Sequence, residues 1–124
     1  MAHLELDTGI EEFSFAGGGV LRFNPADPNL YSRFLDCLSA LEALEAALSG
    51  DGDTLSRICA ADTQAKAALS KVFPGTDWDA VFQGVSLLAV GSNGESVLAN
   101  FLAALEPVLR AGALAAAQAE AAKL

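Results

Sequence analysis

Few side chains in this sequence are of a type and spacing that could carry a reaction. Asp7 stands in Leu6-Asp7-Thr8-Gly9, a carboxylate in a tight Gly-containing turn, and two aspartates held face to face in such turns share one proton and activate a water. His3 is the single histidine, and a nucleophile needs a base within hydrogen-bond reach and a group to orient that base, neither of which is indicated near the N-terminus. Cys37 and Cys59 fall inside helical patterns and read as reduced, buried small hydrophobes. With one distant histidine they do not make up the four ligands of a zinc site. Gly17-Gly18-Gly19 and Gly91-Ser92-Asn93-Gly94 lack the spacing and the lysine of a phosphate-binding loop and read as turns. Asp51-Gly52-Asp53 lacks the other ligands of a calcium loop, and Asp77 and Asp79 suit the N-terminal end of a short helix. The expectation is no catalytic residue, no cofactor and no metal, hence a protein that is not an enzyme and works by binding.

The elements that would position a binding surface start with a small sheet. His3–Leu6, Glu12–Phe15 and Val20–Phe23 alternate polar and apolar residues around Gly-rich turns, which predicts an antiparallel β-meander over 1–24. Its apolar face (Leu4, Leu6, Phe13, Phe15, Leu21, Phe23) needs a partner, because a lone small sheet is marginal in water. Asp27 as N-cap and Pro28 at the first helical position predict a helix from Pro28 to about Ser49. Its Leu30, Phe34, Cys37, Leu41, Leu44 and Leu48 recur four and three residues apart, with Tyr31, Leu35 and Leu38 widening the stripe. Gly50–Asp53 breaks the pattern, and a second helix follows from Asp53 or Thr54 to Val72 or Phe73, burying Leu55, Ile58, Cys59, Leu69, Val72 and Phe73. Pro74-Gly75 ends it, Thr76 caps a short helix over 77–82, and Gln83-Gly84 stops that one. After Val85–Val90, either a short helix or an extended stretch, a last helix opens near Glu95, is kinked by Pro107, and passes beyond Gly112 into an Ala-rich tail that frays or docks on a partner. The fold expected is α+β, mainly α: a meander packed on a bundle of about four helices (27–111), with a tail over 112–124, in one domain of 124 residues.

Composition narrows the partners. With 16 acidic against 7 basic residues the net charge is −9, which repels phosphate backbones and anionic membranes. Neither nucleic acid nor a membrane is expected, and the opening residues have no basic or apolar region of a secretory signal. The chain is 52% apolar, enough for a core. Phe73, Trp78 and Phe82 read first as core, though Trp is favoured at interfaces. Together with Leu114 in the tail they are the candidate partner-binding residues.

The order of segments carries a resemblance. Asp7-Thr8-Gly9-Ile10-Glu11, a Gly-containing hairpin, and Phe23-Asn24-Pro25-Ala26-Asp27 leading into a long helix are similar to the opening of small tail assembly chaperone-like proteins from the tail modules of phages and prophages, mostly of Gram-positive bacteria. Val72-Phe73-Pro74-Gly75, Asp79-Ala80-Val81-Phe82-Gln83-Gly84 and Leu98-Ala99-Asn100-Phe101-Leu102 resemble later elements of that family. Pro74 and Gln83 are departures, and the tail after Gly112 has no match in it. Asp7-Thr8-Gly9 alone also resembles the catalytic triplet of aspartic proteases, but that fold is almost all β, whereas the chain after Asp27 reads helical. What the tail assembly resemblance implies is a non-enzymatic helper of long-tailed phage assembly in the host cytoplasm. Such a helper binds the tape measure protein, recruits tail tube protein, self-associates as a homo-oligomer and is absent from the mature virion. The competing readings are a minor structural tail or connector component of the virion, and a small regulatory or antitoxin-like helical protein.

Overall fold

The structure is a computed structural model that describes residues 2–48 and 54–122. Two strands, β1 (Glu11–Ser14) and β2 (Val20–Phe23), are followed by four helices, α1 (Pro28–Leu48), α2 (Thr54–Val72), α3 (Trp78–Phe82) and α4 (Val97–Ala122). This is the expected α+β, mainly α class, with the break at Gly50–Asp53 and the side chain of Leu48 outside the described residues.

The hairpin pairs β1 and β2 antiparallel with Phe13 opposite Leu21, so the inward side chains of one strand meet those of the other. Gly18 takes a φ of +96° in its loop, a conformation that side chains disfavour. Gly19 answers a different need, because a Cβ there would stand 2.4 Å from the Val81 backbone. The hairpin loop thus lies directly on α3.

The expected third strand at His3–Leu6 does not form. Residues 2–10 belong to no strand, and Leu4 and Leu6 are 90% and 84% exposed. Asn24 Nδ2 donates to the Thr8 carbonyl and the Asp7 carboxylate accepts from the Gly9 amide. These bonds carry the arm past the end of β2 instead of back along β1. The meander is therefore a hairpin, and Asp7 is a turn residue. Phe23 stacks on Phe13 and meets Phe73 edge-on, while Phe15 stacks on Phe101. The rings thus tie the sheet to the end of α2 and to α4, and Leu21 and Phe23 share one core cluster with Leu30, Cys37 and Leu41 of α1.

In α1 the heptad stripe holds: Leu30, Cys37 and Leu41 are buried, with Phe34 and Leu44 half-buried beside them. Asp27 caps the helix, its carboxylate accepting from the Asn29 amide. In α2 the stripe differs. Leu55 is 77% exposed and Cys59 is exposed, and the buried line is Ala61, Ala65, Ala68, Leu69 and Val72. Small residues let α1 pack close against α2, so the alanines take the core and the larger side chains of the first turns stay outside. The short helix α3 is capped by Asp77, which accepts from the Ala80 amide, and not by Thr76, whose hydroxyl bonds the Phe73 carbonyl.

After α3 the chain turns through 85–96, closed by a bridge between Val90 and Ser96, and Ser96 caps α4 by accepting from the Ala99 amide. The helix runs through Pro107 and Gly112 to Ala122. Gly112 is buried, so the bundle extends past the boundary expected at 111. By length and composition α4 is also apolar enough to cross a membrane. Glu106 and Arg110 interrupt its apolar sequence. Those two residues pair with each other one turn apart, and Phe101, Leu105 and Leu109 face the core.

Candidate partner-binding groove

The four residues singled out for partner binding separate into two groups. Phe73, Trp78 and Phe82 are 1%, 8% and 7% exposed. Trp78 stacks on Phe82 at 5.7 Å, and Phe101 meets both edge-on. The indole N–H donates to Ser70 Oγ at 2.8 Å, which satisfies its polar end inside the protein. These three rings are the centre of the core, leaving a partner almost no surface. Leu114 is 60% exposed, beyond the last buried position of α4.

An open apolar surface lies elsewhere. While α1 closes on α2, it stands off from α4, and the gap is a groove of about 670 Å³ walled by Tyr31, Phe34, Leu35 and Leu38 on one side and Leu102, Ala103 and Leu109 on the other. Leu38, Ala99 and Leu102 also line a second compartment of about 530 Å³, floored by Ile58, Ala61, Ala65 and Leu88. The two compartments adjoin across these shared side chains and together make up a trough over the bundle. The signal for it in the sequence was the surplus of apolar residues on α1: Leu35 and Leu38 lie off the heptad seam, and Leu35 stays 64% exposed.

No protein-family model, curated protein or solved structure matches this chain.

The floor is fixed by Asp62. Its carboxylate accepts from the Leu87 amide at 2.7 Å and from Ser86 Oγ at 3.0 Å, and it pairs with Lys66 at 3.0 Å. These bonds staple the 85–90 turn onto α2, bury Leu87 fully and set Leu88 in the trough. At the other end of that turn, Asn93 and Asn100 exchange side-chain hydrogen bonds and hold the loop against α4. Burial opposes ionisation of Asp62, but the hydrogen bonds from Leu87, Lys66 and Ser86 outweigh it and hold the carboxyl below its ordinary value. A carboxylate depressed in the folded state stabilises the fold above its unfolded pKa, and that contribution is lost as pH falls through the folded value. Asp62→Ala should cost about 1–3 kcal/mol at neutral pH, read by urea titration, and the difference from the unmodified chain should shrink as the buffer is acidified below the carboxylate range. A pH-independent difference would discard the ionic part of this account.

Among the described residues no group of three or more His, Cys, Asp or Glu is arranged to hold a metal ion. Of the two thiols, Cys37 is buried, its pKa raised by desolvation, and Cys59 is exposed, which corrects the expectation that both are buried. The arrangement is thus chemically simple: a helical bundle presenting an apolar trough with charged lips.

Proposed function

We propose that this chain is a non-enzymatic phage tail assembly chaperone, which holds the tape measure protein in the host cytoplasm while tail tube subunits assemble around it. The observation that carries this reading is the unfilled trough between α1 and α4. A tape measure protein is a long helical chain that exposes apolar stripes until the tube encloses it, and such stripes dock in apolar grooves. The resemblance of segments from Asp7 to Leu109 supports the same reading, and the surplus of acid keeps such a complex soluble. Self-association belongs to the exposed end of α4 around Leu114, outside the trough.

Co-expression with the tape measure protein should raise its soluble yield and give a co-purifying complex. Leu35→Glu combined with Ala103→Glu, two exposed positions on the trough walls, should abolish that complex while leaving the buried Trp78 emission unchanged. A complex that survives both charges removes the trough from the mechanism. Mass spectrometry of purified particles tests the remaining point, since stoichiometric protein in the virion would make the chain a structural tail component.

A further inference from the structure

The shape and charge of the trough define the kind of helix it takes, an inference that rests on the trough being the partner site. Its α1 wall runs from Tyr31 to Glu45 and its α4 wall from Ser96 to Arg110. Each wall is about 22 Å of helix, and the two run antiparallel, because the Tyr31 end lies with Arg110 and the Glu45 end with Ser96. Two walls of equal length, with the small side chains of Ala61 and Ala65 on the floor between them, match about four turns of a third helix.

The charges on the lips are unequal. Glu106 is neutralised by Arg110, and Arg57, the basic residue of the α2 lip, is already engaged in an interaction of its own. Glu42 and Glu45 remain side by side on the α1 lip, both exposed. A second copy of a chain with net charge −9 brings further acid to that lip, whereas a cationic helix meets a complementary one. We propose that the trough binds a cationic amphipathic helix of about four turns from another protein, with apolar anchors at i, i+3 or i+4, and i+7 and with Lys or Arg flanking the stripe opposite Glu42 and Glu45.

The test uses the full-length protein and three synthetic helices with the same leucine stripe, flanked by Lys, Gln or Glu, with binding read by fluorescence anisotropy. The Lys peptide should bind about fivefold or more tighter than the Glu peptide, with Gln between, given the modest strength of exposed pairs. That ratio should fall as salt is raised and should collapse in Glu42→Gln/Glu45→Gln, whose exposed positions leave the fold intact. Equal binding of all three, lost in Leu35→Glu/Ala103→Glu, would overturn the charge preference while leaving the trough as a helix site. No binding by any peptide would overturn the site itself. A dimer dispersed by Leu35→Glu/Ala103→Glu would make a second copy the occupant and overturn the proposal.

Discussion

Phe23→Ala should lower the unfolding free energy by about 3–5 kcal/mol, the usual cost of removing a core phenylalanine. Phe23 is 4% exposed and stands between two rings, stacked on Phe13 at 4.6 Å and edge-on to Phe73 at 5.2 Å. The substitution removes the side chain that joins the hairpin to the end of α2, and two strands have no stability of their own to fall back on. Because domains of this size have only about 5–15 kcal/mol in all, the variant should unfold at a much lower urea concentration. Trp78 reports this directly: it is the single tryptophan and it packs against Phe73, so its emission follows the same core. An unchanged midpoint would mean that the hairpin is not part of the cooperative unit.

The second large effect runs against helix propensity. In the interior of α4, Gly112→Ala should gain about 1 kcal/mol if only the backbone mattered. A Cβ at that position, however, would lie 1.9 Å from the Pro25 carbonyl oxygen and 2.4 Å from its carbon. Backbone atoms have no alternative rotamer, and the same carbonyl accepts the Tyr31 hydroxyl, so neither the helix nor the turn before α1 can yield alone. The expected balance is a net loss of about 1–3 kcal/mol, as for other overpacked cores. Calorimetry on the variant settles the sign, and a rise in melting temperature would show that Pro25 and α4 are not in contact in solution.

These two residues mark how far the sequence was legible. The stripe of α1, its cap at Asp27 and the stop at Gln83-Gly84 are local patterns, and each stands where the spacing put it. Gly112 looked like the edge of a tail because its neighbour in space, Pro25, is remote along the chain. The buried face of α2 is masked in the sequence because its core positions are alanines, which carry less hydropathic signal than Leu55 on the exposed face. His3–Leu6 has the alternation of a strand, but a strand also needs a free partner, and the arm is tied to Asn24. The trough was hidden because it is a gap between α1 and α4, and periodicity marks apolar faces without showing which of them meet. Trp78 suits core and interface alike by type, and the Ser70 hydroxyl that accepts from its indole nitrogen, remote from it in pattern, is what lets it be core.

The meeting of Phe15 with Phe101, and of Pro25 with Gly112, joins the hairpin loop and the turn before α1 to the last helix. For a chain made one residue at a time from the N-terminus, the hairpin emerges early but cannot be sealed until most of α4 has followed it. Until then, Phe13, Phe15, Leu21 and Phe23 have only each other and the shorter helices to lean on. Synthesis thus leaves an interval in which the nascent protein is itself a sticky, incomplete object, and its own last helix ends that interval.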